Sequence, residues 1–133
     1  MEDIAARVTD EILTWDGVSQ HEHRFGGIEF RLGQRELGHV HAATAKSAGW
    51  ADFPFKSRIR EMLIETGRVT PHRFGAAGWV SRDLDDPEEV VELFRLSYER
   101  AQVAQAVRAS REQLGEAVGG DIPAGDDDPD APA

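Results

Sequence analysis

One segment of the sequence, His39-Val40-His41, has residue types and a spacing that suit chemistry. On a β-strand, side chains two residues apart point to the same face, with their Cα atoms roughly 6.6 Å apart. Two imidazoles at that spacing can converge on one zinc or non-haem iron ion, with His72 or a carboxylate as the third ligand. They could instead bind a substrate or transfer protons as general acid and base. The simplest interpretation is structural: two partly buried histidines that hydrogen-bond their neighbours.

A second histidine pair, in His21-Glu22-His23, has the same spacing one strand earlier. We expect His23 to lie in the middle of the sheet, facing Phe30 and Leu37, where a hydrogen-bonded core histidine is more common than a ligand. His21 should lie at the far, solvated end of its strand. This pair is therefore predicted to be structural.

Glycines and aromatic residues near the histidines could form a pocket. Gly26-Gly27 would leave space beside His41 for a ligand. Trp79 could stack on a flat ligand, or it could simply pack at the rim of the core. Arg24 and Glu29 are expected opposite each other on the sheet, where an exposed ion pair is a simpler interpretation than a binding site.

The composition excludes several classes of chemistry. The sequence has no cysteine, so it can form no disulfide, thiolate metal site or cysteine nucleophile. It also has no glycine-rich phosphate loop, no GxSxG or HExxH motif and no dinucleotide fingerprint. What remains is chemistry centred on histidine and carboxylate, with the cofactor left open.

The charge limits the partners. Twenty-five acidic residues and 15 basic ones give a net charge of −10, which repels nucleic acids and anionic membranes. No apolar run approaches the ~20 residues that span a bilayer, and the acidic, amphipathic first residues are unlike a secretory signal. We therefore expect a cytoplasmic protein with no nucleic-acid or membrane partner. An acidic, lysine-poor chain would also suit a high-salt cytoplasm.

The first half of the chain is predicted to place both histidine pairs on one sheet. Helical periodicity predicts a helix over residues 2–15. Three short strands should follow, with two-residue turns at Gly26-Gly27 and Gly33-Gln34: Val18–Phe25, Ile28–Leu32 and Arg35–His41. A register that places unlike charges opposite each other would pair Phe25 with Ile28 and Leu32 with Arg35. One face would then carry apolar side chains together with histidines, namely Phe25, Ile28, Phe30, Leu32, Leu37, His21, His23, His39 and His41.

The second half should complete an α+β fold, an antiparallel sheet of a three-strand meander plus a second hairpin, packed against three helices. A loop after His41 leads to four elements: a helix over Pro54–Thr66, strands over Arg68–Phe74 and Trp79–Leu84, and a helix capped at Asp86 that runs to about Val118. Residues 1–118 would form a single domain. Residues 119–133 have the composition of a disordered acidic tail.

Five segments of the chain form a recognisable series: HRFGGIEFRLGQRELGHVH, ADFPF, GRVTPH, GWV and ELFRLSYER. On these segments the sequence resembles the family known as the luciferase domain, and the resemblance covers about Trp15 to Arg100. In topology the chain is also similar, more loosely, to MmcQ/YjbR-like domains. The luciferase label comes from a fungal light-emitting oxygenase that acts on a reduced polyketide-type luciferin, but most members are small proteins of unknown role. The resemblance therefore implies a fold, and it implies no particular activity.

The same resemblance points to a set of residues that matches the pocket candidates. By position these are Arg24, Phe25, Gly26, Gly27, Glu29, His39, His41, His72, Gly78 and Trp79.

Two functional hypotheses follow. The first is a domain that binds a small-molecule ligand, or an enzyme, with a pocket at the His39 and His41 end of the sheet lined by His72 and Trp79. The second is a non-catalytic interaction or regulatory module that forms a homodimer, or docks on a partner, through its long last helix. It predicts association that is lost when residues 102–133 are deleted. DNA binding, by analogy with MmcQ/YjbR-like domains, conflicts with the net charge.

Overall fold

A computed structural model describes residues 3–23 and 26–118, without the side chains of 116–118. The helices are α1 (Ile4–Ile12), α2 (Ser57–Glu65) and α3 (Pro87–Val118). The strands are β1 (Val18–Glu22), β2 (Ile28–Leu32), β3 (Arg35–His41), β4 (Trp50–Phe53), β5 (Thr70–Pro71) and β6 (Val80–Asp83). The predicted tail at 119–133 and two residues of the predicted first hairpin, Arg24 and Phe25, lie outside the described residues.

All six strands form one antiparallel sheet in the order β1-β2-β3-β4-β6-β5. The predicted α+β class is therefore confirmed. The prediction missed β4, because Trp50–Phe53 was assigned to a loop and to the approach of the second helix. This strand lies between β3 and β6 and joins the meander to the last two strands.

One face of the sheet packs against α3 and forms the core. Phe94 on α3 lies between two sheet phenylalanines, with ring-centroid distances of 5.4 Å to Phe30 and 4.6 Å to Phe53. Val40 on β3 and Val80 on β6 are buried in the same cluster. Burial of large side chains such as these contributes on the order of 2 kcal/mol each. The helices thus cover one sheet face, and the opposite face is available for polar groups.

A β-bulge in β3 determines which face carries the histidines. Arg31 pairs with Glu36, but Phe30 pairs with Gly38, so Leu37 is an extra residue in β3. Leu37 is fully buried in the core. An extra residue reverses the alternation of side chains along a strand. The prediction that Leu37 and the two β3 histidines share a face is therefore wrong, because the histidines point away from the helices.

Gly38 makes this bulge possible. A Cβ atom at Gly38 would lie 2.7 Å from the Asp52 carbonyl oxygen and 2.8 Å from the Phe94 ring. Both distances are too short for a side chain, so the close approach of β3 to β4 and to α3 requires glycine.

The first hairpin also differs from its predicted register. Glu22 pairs with Ile28, and the His23 amide donates to the Gly27 carbonyl across a longer loop. His21, and not Arg24, therefore lies opposite Glu29. The charge pairing that guided the prediction was misleading, because Glu29 turns to the histidine face and pairs with its neighbour Arg31. The second predicted turn is correct, since Leu32 pairs with Arg35.

The helix ends follow local sequence signals. Asp3 caps α1 by accepting from the Ala6 amide. The predicted cap of α3 is also present, since Asp86 accepts from the Glu89 amide. The helix α3 has 32 residues, about 48 Å at 1.5 Å per residue. Among the described residues, none of the helices is both long enough and apolar enough to cross a membrane.

Candidate functional site

Three histidines surround one buried aspartate on the sheet face opposite the helices. The Oδ2 atom of Asp52 lies 2.9 Å from Nε2 of His39, 3.4 Å from Nε2 of His41 and 3.6 Å from Nε2 of His72. Asp52 is only 1% exposed. We call these four residues the Asp52 cluster. The structure thus brings together all three histidines that the sequence analysis selected as candidate catalytic or metal-binding groups.

The sheet register explains how the cluster forms. Asp52 on β4 pairs directly with His39 on β3 and with Ser81 on β6. Directly opposed residues of neighbouring strands point to the same face, and His41 shares that face because it is two residues from His39. His72 comes immediately after β5, which pairs with β6.

His39 lies between two carboxylates. Its Nδ1 is 2.7 Å from Oε2 of Glu36, and its Nε2 is 2.9 Å from Oδ2 of Asp52. Burial lowers the pKa of His39, but the hydrogen bonds to Asp52 and Glu36 outweigh this effect and raise the pKa to about 9. Without another cation present, His39 is therefore an imidazolium at neutral pH.

Asp52 is a buried hydrogen-bond acceptor. Its Oδ1 accepts from the Ser81 hydroxyl at 2.5 Å, and its Oδ2 accepts from the Trp50 indole at 3.2 Å as well as from His39. Burial alone would raise the pKa of Asp52, but the hydrogen bonds from His39 and Ser81 lower it. Asp52 is therefore a carboxylate of fixed orientation.

His41 is the histidine of the cluster with the most exposed side chain, at 17%. Its ring stacks on Trp50, with 4.4 Å between centroids. Burial and the nearby charge of His39 lower the pKa of His41. A neutral imidazole at the edge of the cluster has a lone pair that can accept a proton or coordinate a metal ion.

His72 is held in one tautomer by the loop that follows it. Its Nδ1 accepts from the backbone amides of Phe74 and Ala76 at 3.1 and 3.3 Å. The lone pair on Nδ1 is therefore in use, and the proton of the neutral ring is on Nε2, which faces Asp52. His72 can donate a hydrogen bond into the site, but it has no lone pair to offer there.

Aromatic side chains and one arginine form the rim. Trp79 lies beside the cluster, with its ring centroid 5.2 Å from that of His39 and 6.5 Å from that of His72. The guanidinium of Arg73 lies over the Trp50 ring, 4.6 Å from its centroid. Trp79, a pocket candidate of the sequence analysis, therefore lies next to two of the candidate histidines.

His23 and Glu29 lie at the opposite edge of the cluster. His23 stacks on His39 with 3.9 Å between ring centroids, and its Nε2 is 4.0 Å from Oε1 of Glu29. The prediction that His23 faces Phe30 and Leu37 is therefore wrong. The first hairpin has a different register, and the bulge places Leu37 on the core face. Glu29 itself is an ion-pair partner of Arg31.

The other candidates have smaller roles or lie elsewhere. Gly27 packs against the Val40 carbonyl and the His41 ring, which fill the space that a Cβ atom would need, whereas Gly26 has open space beside it. Gly78 packs against the side chain of Lys56. His21 hydrogen-bonds to Ser19 at 2.8 Å, away from the cluster. Arg24 lies outside the described residues.

The sequence analysis missed two carboxylates of the site, Asp52 and Glu36. An aspartate is uncommon inside a strand, so WADF was not recognised as one. The available signal was the alternation of Ala51 and Phe53, which point to the core, with Trp50 and Asp52, which point to the other face. An unpaired buried carboxylate is costly, so a buried aspartate must have polar partners. An aspartate directly opposite a His-x-His strand therefore indicates a polar cluster.

The cluster has the donor types that bind metal ions. One ligand atom each from His39, His41 and Asp52 lies within 4.8 Å of the others, and the same holds for His23, Glu36 and His39. Histidine nitrogen with carboxylate oxygen is the donor set of catalytic zinc and non-haem iron sites. The arrangement can therefore bind an ion, exchange protons or hydrogen-bond a polar ligand.

These features define an α+β domain with a six-stranded antiparallel sheet whose face opposite the helices carries a buried histidine–aspartate cluster. The family model described as Luciferase domain matches residues 34–97, a segment that contains the whole Asp52 cluster, Glu36 and Trp79. This match supports the resemblance to the luciferase-domain family that the sequence motifs predicted. No curated protein and no solved structure matches the chain.

Proposed function

We propose that the chain is a small-ligand-binding enzymatic domain whose reactive groups are those of the Asp52 cluster. The observation that carries this proposal is the convergence of three histidine Nε2 atoms on one oxygen of a carboxylate that is 1% exposed. A sheet needs no such group for its stability, since a buried charge costs several kcal/mol before its partners compensate it. Arrangements of this kind are typical of functional sites.

The accessible edge of the cluster indicates where a ligand would bind. His41 and His72 are partly exposed, and Trp50, Trp79 and Arg73 lie around them. A small polar molecule there would meet the His72 N–H as a hydrogen-bond donor and the His41 lone pair as an acceptor. The indoles would supply apolar contact area.

The test is a fragment screen by nuclear magnetic resonance, with imidazole and indole signals as reporters. Bound fragments are expected to shift the signals of His41, His72 and Trp50, and not those of His21, the strand histidine outside the cluster. Binding should be lost in His41→Ala and kept in His21→Ala. Fragments that bind equally well to both variants, or that shift only signals elsewhere, would refute the proposal.

A second candidate function is self-association through the far part of α3, and one observation favours it. Three apolar residues in the C-terminal half of the helix are exposed and share one helix face by their spacing of four and seven: Val103 (49%), Val107 and Leu114 (58%). Such a stripe would be covered in a homodimer. Analytical ultracentrifugation of the full chain and of its Val107→Glu/Leu114→Glu variant tests this proposal. The unchanged chain should form a dimer that the variant does not form, and an unchanged chain that is a monomer at all concentrations would contradict the proposal.

A further inference from the structure

We propose that the Asp52 cluster binds one divalent first-row metal ion, zinc or iron(II), through Nε2 of His39, Nε2 of His41 and Oδ2 of Asp52. The inference rests on the proposed function, because it names a cofactor for the same site.

The spacing of the donor atoms fits a single ion. Nε2 of His39 and Nε2 of His41 lie 2.9 and 3.4 Å from Oδ2 of Asp52. Ligands that bind one zinc ion at ~2.1 Å in tetrahedral geometry are roughly 3.4 Å apart. Both separations from Asp52 are therefore near the value for a common ion, a ligand atom of each of the three residues lies within 4.8 Å of the others, and the strands that carry them are already paired.

The hydrogen bonds behind the ligands have the pattern of an outer coordination shell. Glu36 lies 2.7 Å from Nδ1 of His39, which would fix the ring proton on Nδ1 and aim the Nε2 lone pair at the ion. The Ser81 hydroxyl holds the second oxygen of Asp52 at 2.5 Å. Such contacts set both the orientation and the basicity of the residues that bind the ion.

Two further nitrogens lie near the acceptor atom of Asp52. Its Oδ2 accepts hydrogen bonds from His39 at 2.9 Å and from Trp50 at 3.2 Å, and Nε2 of His41 and Nε2 of His72 lie at 3.4 and 3.6 Å from it. An ion bound between Asp52 and the two β3 histidines would use the lone pairs of all three groups.

We infer that His72 is not one of the ligands, although the sequence analysis named it as a possible third ligand. The backbone amides of Phe74 and Ala76 occupy its Nδ1 lone pair, so its Nε2 carries a proton. We infer that the His72 N–H instead donates a hydrogen bond to Asp52, or to a molecule bound at an open position of the ion. Three protein ligands with at least one open position are the pattern of catalytic sites.

A competing set, His23, Glu36 and His39, uses the other side of the His39 ring. It is less favourable because Glu36 is more exposed than Asp52, with 23% of its side chain accessible against 1%. Single variants distinguish the two sets, because His41 belongs only to the first set and His23 only to the second.

The experiment measures binding of Zn²⁺ and of Co²⁺, as a spectroscopic probe, to the full chain after treatment with EDTA. One ion per chain is expected, with visible Co²⁺ absorption bands. His41→Ala should weaken binding by more than about 100-fold, and Glu36→Gln by about 10- to 100-fold. His23→Ala, His21→Ala and His72→Gln should each keep one ion per chain, with affinity within about tenfold of the unchanged protein.

Three results would overturn the inference. These are absence of binding by the unchanged chain, binding that survives His41→Ala, and loss of binding in His23→Ala, which would move the ion to the competing set. Circular dichroism of each variant shows whether it is folded, and Zn²⁺-dependent thermal stabilisation of the unchanged chain gives a readout that needs no variant. Fragment binding without metal binding would refute only this inference, and metal binding without any fragment would refute only the proposed function.

Discussion

Replacing Asp52 with asparagine should strongly destabilise the metal-free protein. Asparagine has nearly the same shape, so the change removes one charge and places an amide or a neutral oxygen beside the His39 ring. The His39 imidazolium would keep Glu36 as a partner but lose its 2.9 Å contact with a carboxylate that is 1% exposed. Removing one partner of a buried ion pair costs about 3–5 kcal/mol. We expect a loss of about 3 kcal/mol, the lower end, because Glu36 remains.

Urea denaturation and scanning calorimetry at pH 7 in EDTA measure this loss. For a chain of this size, a loss of about 3 kcal/mol lowers Tm by roughly 10–15 °C. The matched control is Asp83→Asn on the adjacent strand β6, where the carboxylate pairs with Arg73 at the surface. An exposed pair contributes at most about 1 kcal/mol. Equal effects of the two substitutions would contradict the claim that Asp52 holds the cluster together.

The remaining predictions concern the same face of the sheet. In EDTA, the raised pKa of His39, about 9 against 6.5 in the unfolded chain, contributes stability that is fully present below pH 6.5. This stability, about 3 kcal/mol, should be lost as the pH rises towards 9, and urea titrations of His39→Gln should lack that slope. Gly38→Ala should cost about 1–3 kcal/mol in the same assay, because its Cβ would lie 2.7 Å from the Asp52 carbonyl oxygen. Ser81→Ala removes a buried hydrogen-bond donor to Asp52 and should cost about 1–3 kcal/mol. The comparison is Ser57→Ala, which removes a hydroxyl at an exposed position.

The parts of the fold that were predictable are those with local signals. The cap at Asp86 and the proline after it located the start of α3, and the turn between Leu32 and Arg35 followed from its glycine. Each of these features depends on a few neighbouring residues. Local propensity is sufficient in such cases because the competing conformations of the segment are also local.

The faces of the sheet were not predictable by the same means. A single extra residue, Leu37, moves two histidines from one face to the other, and nothing within β3 except Gly38 signals it. The glycine is required by the approach of Phe94 and the Asp52 carbonyl, which are distant in the chain. Spacing therefore identified His39 and His41 as a pair, whereas their environment depended on contacts that only the folded chain contains.

The bulge separates the apolar core from the polar cluster within one sheet. Before it, Leu37 contributes to the core; after it, His39 and His41 reach the other face, while Val40 between them stays buried against the core. The hydrophobic face can therefore stabilise the strand positions without constraining which polar groups the other face carries. Because Asp52 is held from both sides, by His39 on β3 and Ser81 on β6, its position is set by backbone pairing and not by a flexible loop. A site built in this way has its donor atoms in place before any ligand arrives, which lowers the cost of binding.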